Sequence, residues 1–277
     1  MHKPDTRLPK GVLDPAAATQ RIRLETFAPA APLNDFVDYF WVVEWNLTGQ
    51  VAQTQRVLPY PNAHLVFDQG QTAIHGVVRG AFIRKVGGAG RVLGVRFKPG
   101  GLRPFIKQPL ARLADRTMPV DEVLQIPAGE AEQHVLRQPD DLTMVGAAQS
   151  LLQAVLPACD QRALLAEQAV QAAAATGGPL SVQALAAQAG IEVRSLQRLF
   201  SDYVGVSPKW VIQRYRLQEA TWRLAAREPV DLAALATELG FFDQAHFTRN
   251  FTRLVGQSPL AYWKSQQGVP SVAKVQA

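Results

Sequence analysis

Leu185-Ala186-Ala187-Gln188-Ala189-Gly190-Ile191 returns fifty residues later as Leu235-Ala236-Thr237-Glu238-Leu239-Gly240-Phe241. The agreement continues at an offset of 51: Gln197-Arg198-Leu199-Phe200 aligns with Thr248-Arg249-Asn250-Phe251, and Val204-Gly205-Val206-Ser207-Pro208 with Val255-Gly256-Gln257-Ser258-Pro259. A repeat of this length predicts one supersecondary unit used twice. Ser181 and Asp231 are expected to cap a short first helix, because their side-chain oxygens accept from unpaired amides. Gly190 and Gly240 supply the left-handed backbone that a sharp turn between two helices requires. Asp243 is a natural cap for the next helix in the second copy, where the first copy offers only the poorer Glu192. Ser207-Pro208 and Ser258-Pro259 each join an N-cap to a proline at the first helical position. Between the copies, Pro208 to about Ala226 predicts one continuous helix, with Val211, Tyr215, Ala220 and Leu224 facing inward. Two helix-turn-helix units on a rigid connector suit two major grooves about 34 Å apart on one duplex face.

The ordered motifs resemble the DNA-binding domain of AraC-type bacterial transcriptional regulators over Leu180–Gln266. They include Ser195-Leu196-Gln197-Arg198-Leu199-Phe200, Arg216-Leu217-Gln218-Glu219-Ala220, Leu239-Gly240-Phe241 and Gln244-Ala245-His246-Phe247-Thr248-Arg249-Asn250-Phe251. Glu192 and Phe242 depart from the small polar residues usual at their positions, and Thr252 stands where Lys is common. The resemblance implies double-stranded DNA as partner, and RNA polymerase if the protein is an activator. The candidate DNA contacts are Arg194, Ser195, Gln197 and Arg198 on the first recognition helix. On the second they are Gln244, His246, Arg249, Asn250 and Arg253. Arg and Gln offer bidentate contacts to guanine and adenine edges respectively; His246 has capping or packing as its alternative.

Upstream, short runs rich in Val and aromatics are separated by Pro, Gly and Asn clusters. Ile22–Phe27, Tyr39–Trp45, Arg56–Leu58, His64–Phe67, Ile74–Val78, Ala81–Val86 and Arg91–Phe97 predict strands of a small, cupin-like β-barrel or sandwich. This half resembles, less specifically, the β-rich sensor half of some such regulators, through Arg56-Val57-Leu58-Pro59, His64-Leu65-Val66-Phe67 and Val92-Leu93-Gly94-Val95-Arg96-Phe97-Lys98-Pro99-Gly100. Pro59-Tyr60-Pro61-Asn62 replaces the Pro-Asp-Gly turn expected there. Trp41, Arg56, Tyr60, His64 and Arg96 are the candidate effector-binding residues. After Gly101 the reading is helical, with Asp141–Leu156 and Asp160–Ala175 as the longer pieces. The Gly177-Gly178-Pro179 stop marks the boundary.

The expected organisation is therefore α+β. It comprises a β-rich sensor domain over 1–127, a helical connector over 128–176, an all-α double helix-turn-helix domain over 177–267, and a flexible tail over 268–277. The 277 residues, 47% hydrophobic and 19% charged, suffice for two globular cores. The net charge is +6, and the downstream part is modestly the more basic. Residues 177–267 carry ten Lys/Arg against seven Asp/Glu, and residues 1–176 eighteen against sixteen. That balance suits a polyanionic partner. The longest apolar runs fall well short of the roughly 20 residues that span a bilayer. No signal-type segment follows Met1, so a cytoplasmic location without membrane contact is expected.

Cys159, the single cysteine, excludes an intrachain disulfide and reads as a structural thiol. His64 and His75 fall on neighbouring predicted strands, but without a His-x-His pair no metal is expected. No phosphate loop or nucleophile elbow appears, so neither cofactor nor catalytic residue is assigned. The leading reading is a DNA-binding regulator controlled by a small-molecule effector or a partner. The alternatives are an N-terminal half serving only homodimerisation or protein contact, and an enzyme domain targeted to DNA.

Overall fold

A computed structural model describes residues 22–176, 180–226 and 229–267, with the side chains of 55–57 excepted. The N-terminal arm before Ile22, the Gly177-Gly178-Pro179 stop and the tail from 268 lie outside the described residues.

The N-terminal half is built on eight strands. They are β1 (Ile22–Phe27), β2 (Val37–Leu47), β3 (Gln53–Val57), β4 (His64–Phe67), β5 (Ala73–His75), β6 (Phe82–Val86), β7 (Gly88–Phe97) and β8 (Thr117–Met118). Six form an antiparallel sheet in the order β1-β2-β7-β4-β5-β8, and β3 pairs with β6 in a separate ribbon. β7 begins three residues before the sequence pattern predicted. Gly90, which reads as part of a turn cluster, sits inside the ladder opposite Trp45, as Gly94 of the predicted strand sits opposite Trp41. A Cβ on Gly94 would lie 2.0 Å from the Trp41 indole, so glycine makes room for the ring rather than ending the strand. β8 gave no sequence signal at two residues long; it pairs Met118 with Ile74 and Thr117 with His75.

The helices are α1 (Asp121–Leu124), α2 (Ala128–Leu136), α3 (Asp141–Ala154), α4 (Gln161–Ala175), α5 (Val182–Gln188), α6 (Val193–Leu199), α7 (Pro208–Ala225), α8 (Leu232–Glu238), α9 (Gln244–Val255) and α10 (Pro259–Gln267). A π-turn over Phe200–Val204 extends α6. Three cores organise these elements. The first joins the large sheet to α1, α2 and α3 through Phe40, Leu65, Phe67, Val95, Phe97, Val135, Met144 and Leu152. The second gathers the alanine stripe of α4 (Ala163, Ala166, Ala169, Ala173) with Leu185, Leu196, Phe200, Val204 and Val211. The third surrounds Phe247 and Phe251 with Leu217, Leu224, Leu235, Phe241 and Tyr262. The span 128–176 thus divides between cores: α2 and α3 serve the sheet, whereas α4 serves the first repeat. Alanine on α4 permits that close approach.

Local chemistry sets the ends of the C-terminal helices. Ser181 Oγ accepts from the Ala184 amide at 3.0 Å, and Asp231 accepts from Ala233 and Ala234 at 2.8 and 3.1 Å. Ser207 caps α7 by accepting from Trp210, with Pro208 at the first position. Gly190 and Gly240 take φ values of +67° and +72° at the two turns. α7 places Val211 and Ile212 in the second core and Leu217, Ala220 and Leu224 in the third. Its 18 residues make a rod of about 27 Å that fixes the two repeats relative to each other.

Candidate nucleic-acid interface

In each repeat a short helix (α5 or α8) packs over the next (α6 or α9), leaving one face of the second helix to solvent. On α6, Leu196 and Leu199 are buried, whereas Arg194, Gln197 and Arg198 are exposed and Ser195 is half-buried. Arg198 Nη2 lies 3.5 Å from Ser195 Oγ. On α9, Phe247, Phe251 and Leu254 point into the core, and Gln244, Arg249 and Arg253 point out. Both helices therefore present an Arg- and Gln-bearing face beside an apolar one, the chemistry that reads base edges and grips phosphates.

Two of the sequence-predicted residues are turned inward. Asn250 is buried; its Nδ2 donates to the His246 carbonyl and its Oδ1 accepts from Arg253 Nη2 at 2.8 Å. It holds Arg253 in place rather than presenting its own amide. Spacing was the overlooked signal, since Phe247, Asn250, Phe251 and Leu254 share one helical face. His246 is half-buried, its ring edge-on to Phe241 with centroids 5.7 Å apart.

The repeats differ where their recognition helices begin. Asp243 accepts from the His246 amide at 2.6 Å, whereas Glu192 makes no side-chain cap on α6. Phe242, directly before Asp243, is 92% exposed.

Sequence reasoning missed two arginines on α7. Arg216 ties the repeats together, Nη2 donating to the Leu180 carbonyl at 2.7 Å and Nη1 to the Gly240 carbonyl at 2.9 Å. Arg214 is buried and faces the N-terminal half, donating through Nε to the Pro59 carbonyl. Its guanidinium lies 4.7 Å from the Tyr60 ring centroid. Burial lowers the pKa of Arg214 from its ordinary value. The spacing of Arg214 with Val211, Leu217 and Gln218 places it in the buried stripe of α7, which was its sequence signal.

Two of the effector candidates, Tyr60 and Arg96, meet at this contact. Tyr60 is stacked between Arg214 and Arg96, the latter at 4.6 Å, and its hydroxyl accepts from Gln218 Nε2. Burial raises the Tyr60 pKa. Arg96 is buried; it donates to the Tyr39 hydroxyl at 2.9 Å and to Asn62 Oδ1 at 2.8 Å, with Asp38 at 3.2 Å. His64 pairs with Arg96 in the β4–β7 register and accepts at Nδ1 from Trp41 Nε1 at 3.4 Å. Burial, with the Arg96 charge adding, lowers its pKa to about 3. Arg56 lies in β3, and its side chain is outside the described residues. Two clefts of about 630 and 500 Å³ open elsewhere, around Arg79, Arg112 and Arg116 and beside His75; Trp41, Tyr60, His64 and Arg96 line neither.

His64 and His75 face each other across β4 and β5, and among the described residues no three His, Cys, Asp or Glu groups gather as a metal site. Cys159, expected as a structural thiol, is exposed at the loop before α4. No described helix is long and apolar enough to cross a membrane.

Residues 185–265 match the family described as a helix-turn-helix domain, and residues 25–119 match a domain of unknown function (DUF6597). The C-terminal part of the chain thus matches a helix-turn-helix family, and a β-rich domain precedes it. Among curated relatives, the chain is 36% identical over 81 residues to the HTH-type transcriptional regulator GlxA of Rhizobium meliloti, covering 29% of this chain and 25% of that protein. It is 35% identical over 91 residues to the transcriptional regulator Rob of Salmonella typhimurium, covering 32% and 30%. The match thus spans about a quarter to a third of these relatives' length. A probable AraC family transcriptional regulator from Rhodopseudomonas palustris is similar at 27% identity and a TM-score of 0.35, covering 37% of this chain and 97% of that one.

Proposed function

We propose that this chain is a sequence-specific DNA-binding transcriptional regulator, with α6 and α9 entering successive major grooves. The observation that carries the reading is the pair of glycine turns presenting helices with exposed Arg and Gln faces, joined by one continuous helix and by Arg216. Arg198 and Arg249 are the principal contacts, with Arg194, Ser195, Gln197, Gln244 and Arg253 beside them. Asn250 and His246 act by shaping α9. Selection of duplexes from a random pool by the full chain tests this: it should enrich two half-sites about one helical turn apart. Arg198→Ala should cost about 1–3 kcal/mol on the selected site if the contact is to a base. Equal loss on every sequence would make it a phosphate contact, and no enrichment would overturn the proposal.

Control would come from the β-rich N-terminal half, through its grip on α7 at Arg214 and Gln218. An effector acts by binding one domain arrangement more tightly than another. A second reading, an N-terminal half that contacts protein and takes no small molecule, draws support from Tyr60 and Arg96, which are already engaged by α7 and by each other. Thermal unfolding of the full chain against a metabolite panel separates the two. A concentration-dependent rise in melting temperature favours a ligand, and its absence favours protein contact.

A further inference from the structure

We propose that Phe242 is a specificity-determining residue of the second helix-turn-helix unit, its exposed ring packing on the 5-methyl group of a thymine in the major groove. The inference rests on the DNA reading above. Phe242 is 92% exposed although the residues on both sides of it are fixed. Gly240 turns the chain at φ +72°, and the Phe241 amide donates to the Ala236 carbonyl at 2.9 Å. The Phe241 ring packs on Phe247 with centroids 5.2 Å apart, and Asp243 then caps α9. Phe242 lies between an anchored neighbour and a cap, so the backbone is held where the ring must face water. An aromatic ring left in water forgoes the gain of burial, and a surface that becomes buried on binding recovers it.

The position identifies the occupant. A recognition helix contacts base edges through its amino-terminal residues. Phe242 immediately precedes that end, on the helix that presents Gln244 and Arg249. Among the groups on the floor of the major groove, the thymine methyl is the apolar one, and it is the group a phenyl ring selects. The first unit passes from Ile191 directly to Glu192 at the N-cap of α6, whereas the second inserts Phe242 between Phe241 and the Asp243 cap, so the two half-sites should differ in chemistry at this point.

The test uses the full chain and the duplex it enriches from a random pool. Each thymine is replaced singly by deoxyuridine, which removes the methyl and leaves the hydrogen-bonding edge intact. One thymine in the half-site of α9 should lose about fourfold in affinity, the worth of one buried methyl. Phe242→Ala should lose a similar factor on the thymine duplex and be indifferent to deoxyuridine there. Phe242→Leu, which keeps an apolar side chain, should retain part of the dependence. If the Ala variant keeps the wild-type methyl dependence, or no thymine shows any, the assignment to Phe242 is overturned while DNA recognition stands; the ring would then face a protein partner. If no duplex is enriched, DNA recognition itself fails.

Discussion

The two helix-turn-helix units share a sequence pattern but not a setting. The first is built into the N-terminal half. Its core includes the α4 stripe and Val77, Arg103 Nε donates to Asp202 in its π-turn at 2.8 Å, and Lys98 lies 3.5 Å from Glu167. The second has Leu58 as the contribution of the N-terminal half to its core. Its recognition helix runs twelve residues without interruption and is capped at its start, whereas α6 runs seven, lacks a side-chain cap and passes into a π-turn. The unit that lacks its own local determinants is the one supported from outside. A signal from the N-terminal half would therefore reach DNA first through the first unit and through α7.

The largest perturbation of this arrangement is loss of Arg216. Arg216→Ala leaves the Leu180 and Gly240 carbonyls without their shared donor, and each bond from a charged group contributes about 1.5–3 kcal/mol. A loss of about 3 kcal/mol in urea unfolding is expected, with hydrogen exchange rising in both units together. Arg216→Lys should recover less than half, because an ammonium lacks the fork that reaches both carbonyls. A rise confined to one unit would show that they are coupled by α7 packing alone.

Acid should act next, and on the N-terminal half. Burial holds His64 neutral, with its pKa lowered to about 3, and His75 is lowered from its ordinary value by the same cause. The unfolded chain takes up those protons near the ordinary histidine pKa of about 6.5, so stability is full above that value. It falls as pH drops from there toward 3, by about 1.4 kcal/mol per pH unit for each proton the unfolded state takes up in excess. Urea unfolding at pH 7 and pH 5 checks this: His64→Gln should flatten the difference. If both proteins lose the same stability on acidification, His64 is not the group responsible.

A smaller effect should follow from undocking the first unit. Arg103 pairs with Asp202, donates to the Ile106 carbonyl at 2.9 Å and stacks over Tyr203. It is partly exposed, so solvent screens the pair and Arg103→Ala should cost about 1 kcal/mol. Exchange should rise in α6 and the π-turn and stay unchanged in α9. An equal rise in α9 would mean the second unit depends on the N-terminal half as much as the first.

What was legible in the sequence was local. Ser181, Asp231, Asp243 and Ser207-Pro208 act on amides two or three residues away, so their identity nearly determines their role. The turn glycines and the continuous α7 belong to the same class. The illegible part depends on what arrives from elsewhere in the chain. Nothing near Tyr60 announces Arg214, which lies 155 residues beyond its partner Pro59. Gly90 reads as a turn residue, and its place in the ladder depends on Trp45 lying over it. Asn250 is marked as inward only by its spacing with Phe247, Phe251 and Leu254. The candidate interface was thus readable as a list of outward residues, and the contact that would control it was not.

The finest test of the comparison lies in the caps. Asp243 holds the His246 amide, and replacing an aspartate N-cap by alanine typically costs about 1 kcal/mol. Asp243→Ala should therefore lower stability by about that amount, with fraying at the start of α9. Glu192→Ala should change stability by no more than a few tenths of a kcal/mol, because Glu192 makes no side-chain cap bond. Glu192→Ser should be the informative variant, since it places a competent acceptor at the start of α6 and should gain roughly 0.5–1 kcal/mol. A gain there, seen as a raised urea midpoint, would show that the first unit forgoes local stability at its recognition helix and draws it from the N-terminal half. If Glu192→Ala destabilises as much as Asp243→Ala, the contrast between a self-supporting unit and a supported one falls.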